Sequence, residues 1–205
     1  MIKIKMKLFF LKTFFLIYFC LFSLSYATDI SINKDLIVIG NDNAPIKIKV
    51  FSSLTCPHCA SFHINVVPKI KEKYIENGNV QLIFIDFPLD QFAFNASKLL
   101  YCTDKKKQIF LLDNLYENQN NWTAGSNADQ INSNLKNIVK DLGISSEQFD
   151  ACINNEEISD KILNGRIEGH KKYSINSTPT IIINEKKLED DASFKNIQKK
   201  IEKII

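Results

Sequence analysis

The sequence predicts an α/β fold interrupted by an all-helical insertion, and three observations carry that prediction. Strand-like runs open and close the chain beyond residue 27, helical periodicity fills the middle, and a C-x-x-C pair stands where the first strands give way to a helix. At 205 residues and 45% hydrophobic content, the chain can bury one sizeable core with room for an inserted subdomain.

The first residues stand apart from the fold. Lys3, Lys5, Lys7 and Lys12 precede an apolar run from Thr13 to Leu24, and Ser25-Tyr26-Ala27 follows. This is the pattern of a signal peptide over residues 1–27: a basic region, an apolar core and a small-x-small cleavage site. An apolar core of about a dozen residues is shorter than the roughly 20 that span a bilayer, which favours cleavage near Ala27. An uncleaved anchor starting near Leu8 is the alternative, and it would tether the domain to the outer face of a membrane. Lipidation at Cys20 is disfavoured by the bulky Tyr18 and Phe19 before it.

Export changes the charge and cysteine arithmetic. The full chain carries 26 basic and 23 acidic residues, and loss of the four leader lysines leaves a net charge of −1. Nucleic acid therefore receives no support as a partner, and Lys105-Lys106-Lys107 and Lys199-Lys200 read as solvated faces. Of the five cysteines, Cys20 leaves with the leader and Cys56, Cys59, Cys102 and Cys152 remain. In an oxidising compartment two pairs are favoured over four free thiols.

The elements follow in order. Leu36–Ile39 is a short apolar run ended by Gly40-Asn41-Asp42-Asn43, and Ile46–Phe51 alternates apolar residues with lysine; both read as strands. Phe62, Val66, Ile70 and Tyr74 recur at four-residue spacing, which predicts an amphipathic helix kinked near Pro68 and ended before Gly78. Val80–Phe87 reads as a buried strand that completes residues 28–89 of the main domain. Residues 90–173 carry helical period throughout, including Ile131, Leu135, Ile138 and Leu142 before Gly143. Ser145 with Gln148 three residues on predicts a capping box. Residues 174–205 return to the main domain with a strand at Thr180–Ile183, a turn beginning at Asn184, and a closing helix through Phe194, Ile197 and Ile201.

The chemistry concentrates at Thr55-Cys56-Pro57-His58-Cys59-Ala60. A thiol at the start of a helix lies beside free backbone N–H groups and the positive end of the helix dipole, both of which favour its thiolate, and Cys56 is that residue. His58 adds a positive charge when protonated, Pro57 stiffens the turn, and Cys59, one turn in, is expected to be the more buried. A zinc site needs a second ligand pair, and neither another C-x-x-C nor an H-x-x-x-H occurs, so no metal ligands are assigned. A structural staple across two residues removes little chain entropy. Exported C-x-x-C between a strand and a helix points instead to thiol–disulfide exchange.

These motifs resemble the bacterial DsbA-type thiol oxidases. Gly40-Asn41-Asp42-Asn43-Ala44-Pro45 resembles the segment before that family's first central strand, Cys56-Pro57-His58-Cys59 carries the Pro-His dipeptide of its strong oxidants, and Ser177-Thr178-Pro179-Thr180-Ile181 resembles its cis-proline loop. The resemblance implies a thioredoxin-like fold, a central mixed sheet flanked by helices, with the helical subdomain inserted. It implies that Cys56 takes attack by a substrate thiolate, that Cys59 is its partner, and that Thr178 and Pro179 bind substrate. No cofactor is implied beyond the Cys56–Cys59 disulfide. The partners implied are reduced exported proteins in the periplasm and a DsbB-like membrane quinone reductase as reoxidant. With about 28 residues between the leader and Cys56 there is no room for the dimerisation domain of exported isomerases, so a monomer is expected. Val50 departs from the family, which usually carries a buried acid six positions before the nucleophile.

Cys102 and Cys152 fall on apolar faces of insertion helices and read either as core thiols or as a structural disulfide; elimination and the family resemblance favour the disulfide. Disulfide isomerase or reductase activity is the first alternative function, and a non-catalytic metal- or thiol-binding module is the second. Trp122 reads as a cap on the insertion, and Asp86 and Asp90 show no partner in the sequence that would make them acid–base groups.

Overall fold

A computed structural model describes residues 36–205. The expected leader, residues 1–27, lies outside the described residues.

The sheet is built around one short lysine-alternating segment. β1 (Ile37–Ile39), β2 (Ile46–Ser52), β3 (Val80–Asp86), β4 (Thr180–Ile183) and β5 (Lys186–Lys187) form a five-stranded sheet in the order β1-β3-β2-β4-β5. β2 runs parallel to β3, with Ile46 opposite Val80 and Ser52 opposite Asp86, and antiparallel to β4, with Phe51 opposite Thr180. The sheet is therefore mixed, and β1, although next to β2 in sequence, pairs with the far edge of β3. Gly40 makes that crossing possible: its φ is +106°, and a Cβ there would lie 2.7 Å from the Val80 carbonyl oxygen. The β4–β5 hairpin turns through Asn184 and Glu185, both at positive φ, as a two-residue hairpin requires.

The period-two alternation of β2 sorts its side chains between two layers. Ile46, Ile48 and Val50 are buried in the larger core, while Lys47 and Lys49 lie on the opposite face, half-buried. Over the first face pack α1 (Pro57–Asn65) and α2 (Val67–Ile70), which continues into a π-helical turn at Lys71–Ile75. The sequence reads this as one kinked helix, but the structure divides it at Val66. Val66 still donates to the Phe62 carbonyl at 2.9 Å, but its φ has opened to −110°. Pro68 has no N–H to offer the turn before it, and its ring crowds that turn, so the helix restarts instead of bending.

Between β3 and β4 lie α3 (Gln91–Cys102), α4 (Gln108–Glu117), α5 (Gln119–Trp122), α6 (Ala128–Lys140), α7 (Ser146–Ile153) and α8 (Glu156–Tyr173). The N-termini of α3, α6 and α8 are capped by side chains: Asp90 accepts from Phe92 and Ala93, Asn127 from Gln130 and Asn155 from Ile158. Ser145 and Gln148 form the expected capping box. Leu99, Leu111, Leu115 and Leu135 join the sheet residues in one continuous core. Trp122 belongs to that core too: it is buried, and its indole N–H donates to the Leu115 carbonyl at 2.8 Å, so it fills the insertion instead of capping it.

α8 serves both parts of the molecule. Its Ile162 is buried, while Gly169 sits so close to the second face of the sheet that a Cβ would stand 2.6 Å from Phe51. On that face Phe51, Phe87, Ile175 and Ile182 form a small separate core, with the Phe51 and Phe87 rings edge-on at 6.5 Å. The closing helix α9 (Phe194–Ile201) buries Ile197 and Ile201 in the larger core.

Replacing Gly40 by alanine should destabilise the domain by about 1–3 kcal/mol, through the forced positive φ and the clash with Val80. The measurement is the shift in the urea midpoint at unchanged m-value.

Candidate active site

β2 ends at Ser52, and the next four residues form the loop that presents Cys56 at the N-cap of α1. The cap is backbone-made. Cys56 N–H donates to the Ser53 carbonyl at 3.1 Å, and the Cys56 carbonyl accepts from Cys59 and Ala60 at 3.0 and 3.1 Å. Pro57 at the first helical position loses no hydrogen bond, because that N–H would lack an intrahelical partner in any case. Pro57 and His58 are exposed at the mouth of the site. Cys56 lies just below the surface at 8% exposure, and Cys59, one turn in, is sealed at 1%.

The loop before β4 meets this helix start. The Thr178–Pro179 peptide bond is cis, and the Thr178 carbonyl accepts from the Cys56 thiol at 3.4 Å. Register explains the meeting, since β4 begins opposite the end of β2. Burial pushes the Cys59 thiol from its ordinary value near 9 up to about 12. The Thr178 hydroxyl and the Ser53 backbone oppose that rise, and Cys56 adds to it. Thr178 Oγ1 is itself buried with no hydrogen-bond partner; it faces the Cys59 sulfur, whose thiolate would accept from it. The two sulfurs of one motif thus occupy unlike environments, one at the edge and one desolvated.

Three groups that sequence reasoning did not connect to the site hold the loop in place. Gln119, buried at the start of α5, donates its side-chain amide to the Leu54 carbonyl at 2.8 Å and to the Cys56 carbonyl at 3.1 Å. Thr55 donates its hydroxyl to Asp90, the N-cap of α3, at 2.5 Å, and Leu89 N–H donates to Ser53 Oγ at 3.3 Å. Asp86, read from the sequence as lacking partners, is a buried carboxyl that accepts from Ser97 Oγ at 2.7 Å and Tyr101 Oη at 2.8 Å. Its pKa is raised by desolvation, against the effect of those two donors. Val50 is buried on the same sheet face, two residues before Ser52.

Cys102 and Cys152 lie apart from this site, at the end of α3 and on α7, and their sulfurs are bonded at 2.02 Å.

Comparison with known proteins agrees with this geometry. A family model described as Thioredoxin matches residues 33–203. Alpha-DsbA1 of Wolbachia pipientis superposes with a TM-score of 0.75 at 30% identity, covering 83% of this chain and 90% of that one. The chain belongs to the DsbA-like thioredoxin family. It is a protein-disulfide oxidoreductase of that family, with the thioredoxin-like α/β fold and helical insertion that its relatives share. The "Probable disulfide bond formation protein D" of Bacillus anthracis is 29% identical over 171 residues, which is 80% of this chain and 76% of the relative. BdbD of Bacillus subtilis, at 24% identity and a TM-score of 0.71 over 83% of this chain and 93% of that one, shows the same fold.

For this DsbA-like protein two outcomes follow from the unequal sulfurs. At a pKa of about 12, roughly 10⁻⁴ of Cys59 is thiolate at pH 8. Iodoacetamide at pH 8 should therefore add one carbamidomethyl group to the reduced native protein, and peptide mapping should place it on Cys56. The second outcome concerns stability. Between about pH 9 and pH 12 the folded state keeps the Cys59 proton and the unfolded chain loses it. Stability is thus complete below pH 9 and falls by about 1.4 kcal/mol per pH unit above it. Denaturant titrations of the reduced protein should show this slope, and a Cys59→Ala variant should lack its share of it.

Proposed function

We propose that the protein works in the oxidising direction, donating a Cys56–Cys59 disulfide to reduced, exported substrate proteins. The observation that carries this reading is a contact available only to the dithiol. The Cys56 thiol donates to the Thr178 carbonyl, a hydrogen bond that a disulfide sulfur cannot donate. Contacts that favour the reduced pair make its disulfide the stronger oxidant.

In the proposed cycle a substrate thiolate attacks Cys56 Sγ. The Cys56–Cys59 bond breaks, a substrate–Cys56 bond forms, and the electron pair leaves on the Cys59 sulfur, which takes up a proton. A second substrate thiolate then attacks the substrate sulfur of the mixed disulfide, and Cys56 leaves as thiolate. The substrate gains one disulfide and the enzyme two electrons. Attack at Cys56 follows from its place at the edge, since Cys59 is closed to a protein-sized partner. Thr178 and Pro179 line the approach to Cys56 and are assigned to substrate binding, with Pro57 and His58 at the rim. Cys102–Cys152 is assigned a structural role in the insertion.

The setting proposed is the periplasm, after cleavage near Ala27, with a DsbB-like membrane quinone reductase returning the pair to the disulfide and the enzyme acting as a monomer. No helix among the described residues is long and apolar enough to cross a membrane. Thiol oxidase, isomerase and reductase activities separate in one experiment. The oxidised protein is offered a reduced, unfolded protein and, in parallel, a scrambled one. Faster disulfide formation in the reduced client is expected; faster rescue of the scrambled client would assign the protein to isomerisation instead. A Cys59→Ala variant should accumulate client linked to Cys56.

A further inference from the structure

One buried side chain of the insertion serves two backbone oxygens of the loop that carries Cys56. Gln119, 6% exposed, donates its amide to the Leu54 carbonyl at 2.8 Å and to the Cys56 carbonyl at 3.1 Å. Its partners fix the orientation of the amide, because both are oxygens that only accept. The second bond is the informative one. The Cys56 carbonyl already accepts from Cys59 N–H at 3.0 Å and from Ala60 N–H at 3.1 Å, which matches its two lone pairs. Hydrogen-bond satisfaction therefore does not require Gln119 at this oxygen.

Electrostatics gives it a use. Cys56 Sγ lies 3.4 Å from the Thr178 carbonyl oxygen, and the Cys56 carbonyl belongs to the same residue as the sulfur. A thiol accommodates the Thr178 oxygen by donating to it, whereas a thiolate has no proton to give and meets the partial negative charge of that oxygen. The free N–H groups at the start of α1 oppose that cost, and so does a donor that draws charge from a neighbouring carbonyl. Gln119 places such a donor on the carbonyls either side of Thr55, in a buried setting where its field is weakly screened. The donor is also held in place. Thr123 gives its N–H and its hydroxyl to the Gln119 carbonyl at 3.0 and 2.7 Å, and the buried Trp122 anchors the same helix through the Leu115 carbonyl. A donor fixed before the charge forms needs no reorganisation when it does.

We propose that Gln119 is a positioning residue that stabilises the reduced pair over the disulfide and so raises the oxidising strength of the site. It acts through the Cys56 backbone. The proposal rests on Cys56 being the thiol that ionises in the reading above. In the equilibrium with glutathione, the oxidised protein and two glutathione thiols give the Cys56–Cys59 dithiol and oxidised glutathione. One S–S bond breaks in the protein, one forms between the glutathiones, and two electrons and two protons pass to the protein. The disulfide carries no charge for the amide to offset, so loss of the amide weakens the reduced side alone. A bond that merely held the loop would stabilise both sides equally and drop out of the constant.

The test is the thiol–disulfide equilibrium of the full protein with glutathione at pH 7, in the parent and in Gln119→Met, which keeps the length of the side chain and loses the donor. Gln108→Met is the matched control: Gln108 is also 6% exposed, and its amide donates to the Leu100 carbonyl at 2.9 Å, outside the loop. One such bond is worth roughly three- to tenfold in an equilibrium constant, so Gln119→Met should shift the constant at least about threefold toward the disulfide, and Gln108→Met should not. A smaller shift, a shift toward the dithiol, or an equal shift in Gln108→Met would overturn the proposal. If Gln119→Met does not fold, Gln119→Asn, one methylene too short to reach both carbonyls, is read in the same way. Alkylation of the reduced parent on Cys59 instead of Cys56 would overturn the underlying assignment of the two thiols, whatever the constant does.

Discussion

The pairing of β2 on both its edges is the constraint on which the site depends. Parallel to β3 and antiparallel to β4, this strand fixes where two distant loops emerge. Because Phe51 stands opposite Thr180, the loop leaving β2 and the loop entering β4 arrive at one end of the sheet, and Cys56 meets the Thr178 carbonyl across 122 residues of sequence. A slip of one residue in either ladder would move every side chain to the other face and send Ile46, Ile48 and Val50 out of the core. Hydrophobic patterning of the strand therefore protects the geometry of the candidate site.

The same economy separates the two sulfurs. Nothing in the covalent chemistry of a C-x-x-C pair distinguishes its members; one helical turn does. The first cysteine lies where backbone N–H groups have no intrahelical acceptor, and the second lies where the helix has entered the core. Desolvation of Cys59 then outweighs the hydroxyl of Thr178 and the backbone of Ser53, which pull the other way.

Much of this was legible in the sequence, for reasons of period and punctuation. Alternation marked β2, four-residue spacing marked the helices, Ser145 and Gln148 marked a cap, and the cysteine spacing marked the pair proposed to react. Hidden features were those whose partners lie far along the chain. Asp86 looked like the end of an ordinary strand because Ser97 and Tyr101 reach it only after α3 folds back. Gln119 is one polar residue in a run of polar residues until its 65-residue span to Leu54 is closed. Trp122 shows the converse error: polar neighbours suggested a surface cap, and the fold turns the indole inward. Pro68 signalled a disturbance, but four-residue spacing that runs on through it could not show that the helix restarts there instead of bending.

Gln119 also bears on how the molecule breathes. Its amide bridges the Leu54 and Cys56 carbonyls on either side of Thr55, the second of which also accepts from Cys59 and Ala60. Any fluctuation that lifts α5 away from the loop takes one donor from each carbonyl, so the opening of the Cys56 loop is coupled to that part of the insertion. The insertion then bears on local unfolding of the loop, whose protection is tied to a helix more than sixty residues downstream.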